Sequence, residues 1–99
     1  MNIVWSEDAL ANLDALVDWI AREAGDGFAV EWATGVFDRV GILASHPFAG
    51  RRVSELSNDD FRELLYRSLR IIYHTAPEAC TILAVRHARQ HIAPSTFAR

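Results

Sequence analysis

The stretch Phe61-Arg62-Glu63-Leu64-Leu65-Tyr66, the pair Arg67-Ser68, and the run Leu69-Arg70-Ile71-Ile72-Tyr73-His74-Thr75 decide the fold. Two β-prone runs joined by only two residues read as a hairpin. A third run, Cys80 to His87, follows the turn Ala76-Pro77-Glu78-Ala79, so the segment predicts a three-stranded antiparallel meander. Period two along Leu69–Thr75 sets Leu69, Ile71 and Tyr73 on one face and Arg70, Ile72 and His74 on the other.

The residues upstream supply the elements that cover one of those faces. Asn2-Ile3-Val4-Trp5 reads as a short strand, and Ser6 as a helix N-cap with Glu7 and Asp8 in the first turn, where acids suit the helix dipole. Trp5 and Leu10 are spaced as a hydrophobic staple. Ala9, Leu10, Leu13, Leu16, Val17 and Ile20 recur at three- and four-residue spacing, which predicts an amphipathic helix to about Glu23. Gly25-Asp26-Gly27 breaks it, with Asp26 as the expected cap of a second helix. That helix sets Ala29, Trp32, Ala33, Val36, Val40 and Leu43 on one face and ends before His46-Pro47. Gly35 and Gly41 inside it mark expected points of close backbone approach or bending. Residues 46–60 are turn-rich and lack a period, with Asn58-Asp59-Asp60 leading into the sheet. The expected architecture is α+β: an N-terminal strand, an antiparallel helix hairpin, then the meander, with both helices on one sheet face and the other face open.

At 99 residues the chain has the length of one small domain, so residues 1–99 are read as a single unit. With 51% hydrophobic and 23% charged residues, the composition is that of a folded globular protein. No apolar run approaches the roughly 18 residues needed to span a bilayer, and the N-terminus lacks the basic region of a signal peptide. A soluble, cytoplasmic protein with no membrane partner is expected. The single cysteine, Cys80, excludes an internal disulfide and reads as a small buried hydrophobe. The net charge of −3 hides a division. Residues 1–40 hold eight acids against two arginines, a balance of −6, whereas residues 41–99 hold eight arginines against five acids, a balance of +3, together with all four histidines.

Arg70, in mid-strand on the open face, is the most informative charge. It is either paired with Glu63 across the meander or the centre of a cationic surface. Arg51 and Arg52 from the loop, Arg67 from the turn, and Arg86, His87 and Arg89 from the last strand could gather around it, a cluster suited to phosphate or to an acidic partner. Trp19 and Phe28 fall outside the apolar stripes of their helices. They either complete the packing or offer apolar contacts to a partner. His87 and His91 have metal-ligand spacing only on a helix, and no third ligand accompanies them, so no metal site is expected. The chain has no Gly-rich phosphate loop and no nucleophile elbow, and no cofactor is expected.

Taken in order, Trp5-Ser6 opening a helix with Ala9 and Leu13, His46-Pro47-Phe48-Ala49-Gly50-Arg51, Arg62-Glu63-Leu64, Leu69-Arg70-Ile71-Ile72-Tyr73 and Ile82-Leu83-Ala84-Val85-Arg86-His87-Ala88-Arg89 resemble the RelE/ParE superfamily of bacterial type II toxins. The resemblance covers nearly the whole chain and implies one of two activities. RelE-like toxins cut mRNA on the ribosome, and that branch would make Arg70, His87 and Arg89 catalytic, with His87 or His74 titrating and Glu55 or Glu63 assisting. ParE-like toxins inhibit DNA gyrase. The chain has no lysine and no tyrosine after Tyr73, both of which the RNA-cutting pattern uses, and arginine cannot replace lysine as a base. Val85-x-His87-x-Arg89 and the Pro47–Arg51 loop look more like the ParE branch, which is favoured. A member that only binds its antitoxin is the third possibility. In every case the resemblance implies a toxin–antitoxin hetero-oligomer with an antitoxin encoded by the adjacent gene. Arg51, Arg67, Arg70, Arg86, Trp19 and Phe28 are the expected partner-binding residues.

Overall fold

The computed structural model describes residues 1–87. Strand β1 (Asn2–Trp5) leads into helix α1 (Glu7–Ala24) and helix α2 (Asp26–Gly41), which ends in a short 3-10 turn at Ile42–Ala44. Strands β2 (Arg51–Arg52), β3 (Phe61–Tyr66), β4 (Leu69–Thr75) and β5 (Ala79–His87) follow. The sheet order is β1-β5-β4-β3-β2, antiparallel throughout except that β1 lies parallel to β5. The meander and helix hairpin are as the sequence pattern predicts. The placement of β1 beside β5 is a long-range pairing that local pattern does not encode.

Ser6 caps α1, its hydroxyl accepting the Ala9 N–H at 3.0 Å, a bond that stabilises a helix by about 1 kcal/mol. Two other details differ from expectation. Trp5 packs against Phe37 of α2 in a tilted pair, ring centroids 5.0 Å apart, while Leu10 stays exposed, so the first strand is fastened to the second helix rather than stapled to the first. The N-cap of α2 is Gly25 at φ +96°, and Asp26 is already helical, where it faces the positive end of the dipole without a capping hydrogen bond. Glycine suits that backbone because a Cβ is disfavoured at positive φ.

The main core lies between the helices and one sheet face. Ala9, Leu13 and Ile20 from α1 and Ala29, Trp32, Val36 and Val40 from α2 pack on Leu64, Leu69, Ile71, Tyr73, Cys80, Ile82 and Val85. A strict alternation along β5 could not place Cys80, Ile82 and Val85 on the same face. A bulge resolves this: Ile72 pairs with Ala84 but Tyr73 pairs with Ile82, leaving Leu83 as the extra residue. The start of α1 is stitched to this irregularity. The Ser6 N–H donates to the Ile82 carbonyl (2.9 Å), the Ser6 hydroxyl to the Leu83 carbonyl (3.3 Å), and the Val85 N–H to Asn12 Oδ1 (3.1 Å). Backbone groups freed where β1 ends are thereby satisfied by side chains.

The second sheet face is not open as expected. Val53 and Leu56 of the periodless loop, with Phe61, pack on Ile72 in a small second core. The loop turns back into β3 through Asn58, whose side chain accepts the Asp60 N–H at 2.8 Å. No helix among the described residues is long and apolar enough to cross a membrane.

Candidate partner-binding surface

The roofing of the second face determines what Arg70 can do. In the register of β3, β4 and β5, Glu63 lies opposite Ile72 and Arg86 opposite Arg70, so Glu63, Arg70 and Arg86 share this face. The Arg70 side chain is 6% exposed. Its Nε donates to Glu63 Oε2 at 2.5 Å, and its Nη1 and Nη2 donate to the two oxygens of Glu55 at 2.8 and 2.9 Å. Glu63, itself 2% exposed, accepts from Arg51 Nε at 2.8 Å through its other oxygen. Arg51–Glu63–Arg70–Glu55 is therefore a chain of two cations and two anions with balanced charge. The Glu55 fork, with the Glu63 bond and the field of both carboxylates, raises the Arg70 pKa against the opposing effect of burial, so the guanidinium stays protonated under all working conditions.

Pairing of Arg70 with Glu63 was one of the two readings open from sequence. The Glu55 fork was not foreseen, because Glu55 lies in a loop without period and its position depends on how that loop folds back. Arg52 turns away to a surface pair with Asp59 at 2.6 Å. Arg86 sits directly opposite Arg70, a like-charge pairing that the two glutamates offset, and its Nε is buried without a hydrogen-bond partner among the described residues. His87 closes β5 opposite Leu69. Arg89 and His91 lie outside the described residues.

The loop carrying His46-Pro47-Phe48-Ala49-Gly50 is held by Tyr73. The Tyr73 hydroxyl, fully buried, accepts the Gly50 N–H and donates to the Pro47 carbonyl, both at 2.9 Å. Burial raises the Tyr73 pKa, and the Gly50 hydrogen bond only partly opposes this. Gly50 is required by close approach: a Cβ there would lie 2.6 Å from the Glu63 carbonyl oxygen and 2.7–2.8 Å from the Tyr73 ring and hydroxyl. Beyond it the exposed Phe48 ring lies under Arg62, whose Cζ is 4.9 Å from the ring centroid and whose Nη1 donates to the Gly50 carbonyl at 2.9 Å. Phe48 and Arg62 stand in motifs that carry the resemblance but are not among the expected partner-binding residues.

Arg67 stands apart from the Arg70 cluster, at the tip of the β3–β4 hairpin. Its guanidinium lies 5.5 Å from the Tyr66 ring centroid and 5.9 Å from that of Phe28 on α2. Tyr66 in turn meets Trp32 edge-on, and its hydroxyl occupies the space a Cβ at Gly35 would need. Gly35 is thus the close approach that the sequence anticipated, whereas a Cβ at Gly41 would meet nothing. Trp19 and Phe28 are 55% and 40% exposed, so neither completes the core. The expected partner residues accordingly fall into three places: Arg51, Arg70 and Arg86 on the roofed face, Arg67 with Phe28 at the hairpin tip, and Trp19 exposed on α1.

The model of the ParE toxin of the type II toxin–antitoxin system parDE matches residues 3–92. The chain belongs to the ParE toxin family. Its fold is shared with a solved chain of the chromosomal ParDE TA system from P. aeruginosa, with a TM-score of 0.78 and 23% sequence identity over 90% of this chain and 97% of that one. No curated protein matches the sequence. The ParE assignment agrees with the branch favoured from the Val85-x-His87-x-Arg89 ending and the Pro47–Arg51 loop. The α+β arrangement of helices on one sheet face is shared with that solved chain.

Proposed function

We propose that this ParE-family toxin acts by inhibiting DNA gyrase in the cytoplasm and is neutralised by an antitoxin encoded beside it. Arg70 is the observation that carries the choice between the two activities. Cleavage of RNA needs a cation free to meet charge developing on a phosphate. Here the mid-strand arginine is enclosed, satisfied on both sides by Glu55 and Glu63, and roofed by the loop containing Val53 and Leu56. Releasing it would leave the buried Glu63 and the largely buried Glu55 without its charge, a change that costs several kcal/mol. The roofed face therefore supports a binding toxin rather than a nuclease. The positive balance of residues 41–99 suits an antitoxin whose wrapping segment is acidic.

Induced expression in a gyrase-containing host tests the proposal. The expected outcome is growth arrest with altered plasmid supercoiling and no new 5′ ends within translated mRNA, both reversed by co-expression of the adjacent gene. Arrest with mRNA cleavage at codon-spaced positions and normal supercoiling would overturn it.

A further inference from the structure

Arg67 is the only residue other than glycine with a positive φ (+53°) among the described residues. The pairing of Tyr66 with Leu69 makes Arg67-Ser68 a two-residue hairpin turn with Arg67 at its first central position. That position favours glycine or asparagine, because a Cβ is strained in left-handed backbone. An arginine there stores strain that a glycine would release, and strain of this kind is retained where a side chain is needed for contact.

The side chain is also held in a preset place. Tyr66 is wedged against Gly35 and Trp32, which fixes the hairpin tip on α2. Arg67 lies beside the Tyr66 and Phe28 rings, and its Nε reaches the Tyr66 hydroxyl at 3.3 Å. Arg39, three turns along α2 from Phe28, spends its Nε on the Leu65 carbonyl at 3.2 Å. Neither Arg67 nor Arg39 forms an ion pair among the described residues, and Glu31, one turn from Phe28, pairs with neither. One exposed, unneutralised cation, Arg67, thus borders a partly exposed phenylalanine on a rigid corner, with the half-buried Arg39 farther along α2. An arginine preset on an aromatic rim loses little freedom on binding, and arginine–aromatic clusters are the usual energetic centres of interfaces.

We infer that Arg67, seated beside Phe28 and Tyr66, is the anchor point for a carboxylate of the antitoxin's acidic segment, with an adjacent apolar side chain of that segment covering Phe28. The inference rests on the toxin–antitoxin reading above. It explains why this turn carries arginine: the side chain serves the complex at the expense of the free protein's stability.

Isothermal titration of the full chain with the antitoxin from the adjacent gene, alongside thermal unfolding of the free chain, tests it. Arg67→Gly is expected to raise the melting temperature of the free chain and to weaken antitoxin binding by at least tenfold. Arg67→Lys, which keeps charge but not the fork, is expected to fall between. Binding by Arg67→Gly within twofold of the parent, or a lowered melting temperature showing that the side chain only braces Phe28, would overturn the inference while leaving the toxin reading intact. Failure of the unaltered chain to bind the antitoxin would overturn both.

Discussion

Arg70 and Glu55 are joined by two parallel hydrogen bonds, at 2.8 and 2.9 Å, across 15 residues of chain. The fork fastens a loop of little intrinsic order to the middle of the sheet. Glu63 completes the clasp from the neighbouring strand, and the apolar contacts of Val53, Leu56 and Phe61 with Ile72 lie alongside it. The same bonds that make the loop a roof remove Arg70 from solvent, so a structural role and a role in phosphate chemistry compete for one guanidinium.

Breaking the clasp from one side is expected to be costly. Arg70→Ala leaves the largely buried Glu55 without its fork and the buried Glu63 with only the exposed Arg51, and should lower unfolding free energy by about 3–5 kcal/mol in urea denaturation. Arg51→Ala removes a partner that is 63% exposed and should cost less than about 1 kcal/mol. Replacing Arg70, Glu55 and Glu63 together by Met, Leu and Leu should recover most of the loss, because the desolvation of all three charges disappears with them. Equal effects of Arg70→Ala and Arg51→Ala would show that the buried fork holds nothing.

Gly50 and Gly41 should respond in opposite directions to the same substitution. Gly50→Ala drives a methyl group into the Glu63 carbonyl and the buried Tyr73 ring, neither of which has room to move, and is expected to destabilise by about 2 kcal/mol or more. Gly41→Ala meets empty space at the end of α2 and should stabilise by up to about 1 kcal/mol through helix propensity. For a domain of this size, 1 kcal/mol is a shift of about 4–8 °C in melting temperature, so calorimetry resolves both.

The Tyr73 hydroxyl sets a pH limit. Its pKa is raised on folding above the ordinary value of 10.0, so the folded state holds the proton more tightly than the unfolded one. The stability this represents is fully present below pH 10 and declines as pH rises from there through the folded pKa. Unfolding free energy measured between pH 8 and 11.5 should fall at the alkaline end. Tyr73→Phe should lose that part of the slope while being less stable at neutral pH, because the Gly50 N–H and the Pro47 carbonyl lose their partner. An unchanged alkaline slope in Tyr73→Phe would assign it to other groups.

Legibility from sequence followed the range of the interactions. The meander was readable because period two in Leu69–Thr75 and the two-residue spacer Arg67-Ser68 are local signals, and the helices because their stripes repeat at 3.6 residues. The bulge at Leu83 was not, since it arises from the need to face Cys80, Ile82 and Val85 together toward helices distant in sequence. Of the clasp, Glu63 was readable from cross-strand register, whereas Glu55 sits in a segment whose path is set by Ile72 and Arg70 themselves. Arg67 was counted among the cations of the open face, but the sign of its φ, which separates it from them, has no marker in a turn lacking glycine.

The account turns on gyrase, and a supercoiling assay with purified components addresses it most directly. Purified toxin added to DNA gyrase, ATP and relaxed plasmid should block supercoiling in a dose-dependent way, and prior mixing with the antitoxin should restore it. Undiminished supercoiling at a large molar excess of folded toxin, with cleavage of mRNA when the same preparation is added to translating ribosomes, would contradict the account.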